Sequence, residues 1–185
     1  MMSRIARAAL ATVSCVAALA GGATTAHAEG ASYLSAVPIG EPVVQLQAAH
    51  SGKCLEIEHG GTGNGMPAQQ RTCDGTDPAQ QWQTVAVVGS SFEVVSVPSG
   101  KCLEVENSST KAGARVQQWT CVAGKQQRWQ LVLVDQPKGL FQLRPTHTEN
   151  RCLDIAGAQT GDGVPAQQWY CNQTDAQLWR IQVVK

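Results

Sequence analysis

Two pairs of carboxylates in this 185-residue chain are spaced to act together: Glu56 with Glu58, and Glu104 with Glu106. On a strand, residues i and i+2 point the same way and lie about 6.6 Å apart along the chain. That distance touches the carboxylate separation of inverting glycoside hydrolysis. The third stretch of the same type reads Asp154-Ile155-Ala156, so its second acid is missing. Neighbouring acids on an exposed strand otherwise form a solvated face, and that is the role expected here. His50, His59 and His147 show no metal-ligand spacing and no regular place in the pattern described below. Neither a G-x-S-x-G nor an H-E-x-x-H string occurs. The expectation is therefore no catalytic residue, no metal site, no cofactor and no enzyme.

Cysteine is the other residue type with chemistry to offer. Cys54 and Cys73, Cys102 and Cys121, and Cys152 and Cys171 form three successive pairs, each 19 residues apart. Equal separations select the pairing in which each pair closes its own loop, and each closure stabilises by roughly 3 kcal/mol. No thiolate is then left as a nucleophile after the N-terminal signal, inside which the seventh cysteine, Cys15, lies. The start of the chain supports an oxidising destination. Arg4 and Arg7 precede a short apolar run of small residues from Ala8 to Ala20, and Ala26-His27-Ala28 is an A-x-A cleavage site. Residues 1–28 therefore read as a secretory signal peptide, and the protein as secreted and extracellular. The apolar run is too short and too poor in Leu and Ile for a membrane span. Once Arg4 and Arg7 are removed, acidic residues outnumber basic ones by two. That balance gives no footprint for nucleic acid or anionic lipid.

The elements that carry these residues repeat three times. Cys54-Leu55-Glu56-Ile57, Cys102-Leu103-Glu104-Val105 and Cys152-Leu153-Asp154-Ile155 open the pattern. Gln69-Gln70-Arg71-Thr72-Cys73, Gln117-Gln118-Trp119-Thr120-Cys121 and Gln167-Gln168-Trp169-Tyr170-Cys171 follow. Gln80-Gln81-Trp82, Gln127-Arg128-Trp129 and Gln177-Leu178-Trp179 close it. Each copy reads as four short strands separated by turn clusters, at the spacing of an all-β sandwich or barrel. No window carries a helical period. One copy cannot bury its apolar face alone, so neighbours must supply the missing walls. Trp82, Trp129 and Trp179 are expected in the core, meeting near a pseudo-threefold axis. The copies span about residues 43–90, 91–136 and 137–185, with 29–42 as a leader or linker.

This triple pattern resembles the ricin B-type lectin domain, in the form found in secreted actinobacterial proteins. The resemblance covers essentially the whole chain after the leader. It implies a β-trefoil of three pseudo-equivalent four-stranded repeats. It also implies a shallow sugar site in each copy: an acid two residues after the first cysteine, an aromatic two residues before the second, and an Asn just before the Gln of Gln-x-Trp. A carboxylate makes strong charge-assisted bonds to hydroxyls, and an aromatic offers a rigid flat surface. Copy three keeps Asp154 and Trp169, with Gln167 and Gln177 as its amides, but has Ala176 at the Asn position. Copy two has Glu104 and Trp119, with Gln126 at that position. Copy one has Glu56, Arg71 and Ala79, with Arg71 placed to cover a sugar or to pair with Glu56. The expected function is non-catalytic carbohydrate binding by a monomer, at copy three and then copy two, with galactose-type or xylan-type glycans as family-level partners. The alternative is a degenerate trefoil that contacts proteins, as an inhibitor, toxin subunit or envelope component. The missing Asn favours that alternative.

Overall fold

Alternation along the first strand of each copy decides what faces inward. In β1 (Val43–Ala48) it buries Val44, Leu46 and Ala48. In β5 (Ser91–Ser96) it buries Val94 and Ser96, and in β9 (Leu140–Pro145) it buries Leu143 and Pro145. The computed structural model describes residues 42–87 and 89–184. The expected signal peptide, and all of the expected leader except Pro42, lie outside them. Twelve strands occur among the described residues, four to a copy. Copy one adds β2 (Cys54–Ile57), β3 (Ala68–Arg71) and β4 (Trp82–Val87). Copy two adds β6 (Cys102–Val105), β7 (Val116–Trp119) and β8 (Arg128–Asp135). Copy three adds β10 (Arg151–Ile155), β11 (Val164–Tyr170) and β12 (Trp179–Val183). No helix among them is long and apolar enough to cross a membrane.

The first and last strands of the copies close a ring. β1 pairs β4, β4 pairs β5, β5 pairs β8, β8 pairs β9, β9 pairs β12, and β12 returns to β1. Closure removes the exposed edges that an open sheet of this length would present. The two middle strands of each copy form a hairpin: β2–β3, β6–β7 and β10–β11. The hairpins touch one another through Val164↔Gln70, Pro67↔Gln117 and Arg115↔Gln167. A six-stranded barrel with a triangle of three hairpins is a β-trefoil. The three disulfides, Cys54–Cys73, Cys102–Cys121 and Cys152–Cys171, each close a loop within one copy.

Trp82, Trp129 and Trp179 are fully buried in one apolar cluster. The indoles are not held by one another, and no ring contact joins them among the described residues. Each Nε1 instead donates to a leucine carbonyl of its own copy: Leu55 at 3.0 Å, Leu103 at 2.9 Å and Leu153 at 3.2 Å. A buried indole N–H needs such a partner. The bond fixes the last strand of each copy against its hairpin.

The seams between copies are closed by glutamine. Gln70, Gln118 and Gln168 are fully buried. Gln118 Nε2 donates to the carbonyls of Gly61 and Gly63 in copy one. Gln168 donates to Ser109 and Lys111 in copy two, and Gln70 to Gln159 and Gly161 in copy three. One side chain thus satisfies two carbonyls of a loop that has no ladder to join, which is how buried backbone groups must be settled.

Candidate functional site

The hairpin register brings the chemistry of each copy to one face. Glu56 lies opposite Gln69, Glu104 opposite Gln117, and Asp154 opposite Gln167. Cross-strand partners on one face are neighbours, and the residue two beyond each Gln returns to that face. That residue is Arg71, Trp119 or Trp169. A surface pocket therefore forms at the same place in each copy. The copy-three pocket is lined by Asp154, Gln167, Trp169, Asn172, Thr174 and Ala176, with Ala156, Gly157 and Ala158 as its wall. Its volume is about 470 Å³, against 190 Å³ for copy two. The copy-two pocket is lined by Glu104, Gln117, Trp119, Gln126 and Asn107. The copy-one pocket is lined by Glu56, Arg71, His59, Asp77 and Ala79.

The three acids are nearly buried, and each is held by two amides. Asp154 Oδ2 accepts from Gln167 at 2.8 Å and Oδ1 from Gln177 at 3.0 Å. Glu104 accepts from Gln117 and Gln127, both at 3.0 Å. Glu56 accepts from Gln69 at 2.8 Å and Gln80 at 3.4 Å. No cation pairs with any of them among the described residues. Burial pushes the Asp154 carboxyl above its ordinary value, and the two amide bonds and the nearby His50 oppose that shift. Each carboxylate oxygen keeps a lone pair that an incoming hydroxyl can use.

The sequence-predicted residues divide under this geometry. Asp154, Gln167 and Trp169 come together on the copy-three surface, as do Glu104 and Trp119 in copy two. Gln177 stands behind them, fully buried. Its Nε2 donates to Asp154 and to the Tyr170 carbonyl, and its Oε1 accepts from the Asn172 amide. It positions the acid and presents nothing to the pocket. Trp169 and Trp119 are about 40% exposed, as a stacking platform requires.

Several expectations are corrected. Glu56 is not paired with Arg71, which makes no ion pair among the described residues; the two glutamines occupy the carboxylate instead. The carboxylate pairs do not share a face. β6 ends at Val105, so Glu106 enters a 3-10 turn and bonds Arg115 at 2.8 Å, away from Glu104. His50 and His147 do have a regular place. Each follows the first strand of its copy by two residues, and each ring contacts the carbonyl that ends the preceding copy's 3-10 turn. His50 Nε2 lies 3.0 Å from the Gln159 oxygen, and His147 Nε2 lies 2.9 Å from the Ser109 oxygen.

Sequence reasoning missed Asn172 and Thr174. Asn172 Oδ1 accepts from the amide and hydroxyl of Thr174, forming a tight local turn. That leaves its amide nitrogen as a donor at the pocket rim, near the position where Ala176 offers nothing. Asn-x-Thr directly after the second cysteine was the available signal, because Asn and Thr favour such turns. The pocket wall was also hidden. In each copy it contains two successive residues of positive φ: His59 and Gly60, Asn107 and Ser108, Gly157 and Ala158. Such strain persists only where the surroundings impose it.

Comparison with known proteins adds family and fold. The chain matches the model of the ricin-type beta-trefoil lectin domain-like family over residues 33–119, 78–169 and 125–185. It is similar to a designed 3-fold symmetric protein, ThreeFoil, at 35% identity over 76% of this chain and 97% of that one, with a TM-score of 0.71. It is similar to an exo-β-1,3-galactanase from Clostridium thermocellum at 29% identity, over 77% of this chain but 30% of that one, with a TM-score of 0.73. A Macrolepiota procera ricin B-like lectin, solved with lactose, shares the fold at 18% identity and a TM-score of 0.65, over 77% of this chain and 96% of that one. No curated protein matches the chain.

Proposed function

The chain belongs to the ricin-type β-trefoil lectin domain-like family, and from that premise we propose that it is a secreted, non-catalytic carbohydrate-binding protein. The sugar binds first at copy three and then at copy two. One observation carries the reading: in copy three a nearly buried carboxylate, locked by two glutamines, opens beside a 39% exposed indole. Asp154 accepts hydroxyl bonds, Trp169 stacks on the apolar face of the ring, and Asn172 supplies an amide donor. Galactose-type sugars are the first candidates, because a galactanase is among the similar structures; xylan-type chains follow from the family resemblance. The pockets are open and shallow, so each binds weakly, and a glycan that reaches copies two and three gains by avidity.

The protein-contact alternative has one observation in its favour: Ala79, Gln126 and Ala176 replace the family's Asn in all three copies. Affinity electrophoresis in polysaccharide gels decides between the two. Retardation that free sugar competes away, that Trp169→Ala weakens by about tenfold, and that Arg71→Ala leaves intact supports the lectin. A folded protein that is retarded by no polysaccharide overturns it.

A further inference from the structure

Tyr170 has no counterpart in the other copies, which have Thr72 and Thr120 at its place. It is 51% exposed, and its ring centroid lies 6.1 Å from that of Trp169 in an edge-to-face contact. The Arg151 guanidinium sits over the Tyr170 ring, 4.0 Å from its centroid. The register sets Arg151 opposite Tyr170, on the hairpin face turned away from Asp154 and Trp169. The edge contact of the two rings therefore carries aromatic surface around the hairpin from the copy-three pocket to a cation. Arg151 in turn lines a separate groove of about 300 Å³, with Arg144, Thr148, Asn150 and Glu149.

The groove is arranged before any ligand arrives. Arg144 donates through Nε (3.2 Å) and Nη2 (2.7 Å) to Oε1 of Gln142, a fully buried side chain. Arg151 donates through Nη1 to the Asn150 carbonyl and through Nη2 to the Thr110 carbonyl. Neither guanidinium is in an ion pair among the described residues, and Glu149 at the rim is bonded to neither. The Thr148 hydroxyl and Arg151 Nε are buried and make no hydrogen bond within the protein. Two fixed, unpaired guanidiniums in one groove repel each other, and no carboxylate of the protein supplies the countercharge between them among the described residues. An anion supplies it, since a planar fork fits carboxylate or sulfate oxygens.

The arrangement belongs to copy three alone. Gln47 and Val95 stand where Arg144 does, and Lys53 and Lys101 where Arg151 does. Lys53 is already neutralised by Asp162 at 2.7 Å. We propose that the groove between Arg144 and Arg151 is a binding site for a carboxylate or sulfate group carried on a glycan, the neutral part of which crosses Tyr170 toward Trp169. The crossing rests on the carbohydrate reading of the copy-three pocket; the anion site does not.

The test compares oligogalacturonate with its methyl ester, which keeps the backbone and removes the charge. Calorimetry at low salt should show the acid binding about tenfold more tightly, the worth of one charge-assisted hydrogen bond. That preference should shrink as salt is added and vanish in Arg144→Gln. Tyr170→Thr installs the residue that the other copies carry, so the fold tolerates it; it should reduce the preference while leaving the disulfides and melting behaviour intact. The Nε–H NMR signals of Arg144 and Arg151 should move with galacturonate. Equal binding of acid and ester, or a preference that survives in Arg144→Gln, overturns the site. Failure of the sugar pocket looks different: the ester does not bind, Trp169→Ala has no effect, and the arginine signals still move with galacturonate.

Discussion

The pockets of copies one and three hold their acids in the same way. Glu56 and Asp154 each face the first glutamine of their hairpin and the glutamine of Gln-x-Trp, and each is 5% exposed or less. Around them the two pockets diverge. Asp154 opens beside an indole and the Asn172 amide, whereas Glu56 opens beside Arg71, His59 and Asp77. Asp77 is committed, because its side chain caps the next turn by accepting from the Ala79 amide at 2.9 Å. The shared part ties each hairpin to the turn that leads into the final strand of its copy, so it is present where there is no stacking platform. The acid alone is thus poor evidence for a sugar. The rim residues carry the difference between the two pockets.

If the frame is shared, damage to it should cost the same in both copies. Trp82→Ala and Trp179→Ala each remove a fully buried indole and strand a leucine carbonyl. Each should destabilise by about 3–5 kcal/mol, the range for large core truncations. Guanidinium denaturation of the disulfide-intact protein measures both. A gap between the two that approaches the full cost of one would mean that the copies are unequal in their cores as well as their rims.

The sequence carried this frame openly because its parts recur at fixed spacing. Equal cysteine separations fixed the disulfides, and the thrice-repeated Gln-x-Trp placed the core indoles. Spacing could not show what one side chain does to another. Gln177 looked like a ligand residue because it neighbours the family's Asn position, yet the 3-10 turn Asp175–Gln177 sets it behind Asp154. Glu106 looked like a partner of Glu104 because strand alternation was extended one residue too far, into a turn. His50 and His147 looked unrelated because copy three carries an extra residue in its following loop, which shifts the later landmarks without moving the histidine. Arg144, Tyr170 and Arg151 lie far apart in any motif, and only folding gathers two of them into one groove with the third beside it.

A milder perturbation sharpens the contrast between rims. Gly113 and Gly163 occupy matching turns at φ +82° and +78°. A side chain at either position pays the left-handed cost of about 1–2 kcal/mol. Their surroundings differ. A Cβ at Gly113 would lie 3.5 Å from Trp169 Cζ3, whereas one at Gly163 meets only the Gln69 amide oxygen at 3.9 Å. Gly113→Ala and Gly163→Ala should therefore lower stability alike and leave gel retardation unchanged, since 3.5 Å is an ordinary contact. Gly113→Leu, whose further atoms reach beyond that contact, should weaken retardation more than Gly163→Leu. Equal effects of the two leucine variants on binding would mean that Trp169 is not the platform.

The smallest effect separates two roles of one carboxyl. Burial raises the Asp154 value above 3.8, while the Gln167 and Gln177 bonds and the nearby His50 oppose that shift. Between 3.8 and the raised value, the folded protein holds the proton more tightly than the unfolded chain. Asp154 then contributes more to stability as pH falls through that window, and its ionisation above the window costs stability. Asp162, held low by Lys53 and Thr72, has the opposite sign, and its contribution is lost at more acidic pH, below 3.8. Wild type should therefore gain stability relative to Asp154→Asn as pH falls toward 3.8. Sugar binding should weaken over the same interval, because a protonated carboxyl gives up acceptor capacity. Denaturation and gel retardation across the window should move in opposite directions. If both fall together, or if carboxyl NMR finds Asp154 titrating at or below 3.8, its charge is being stabilised by something other than the two glutamines, and the copy-three pocket is more hydrated than its burial indicates.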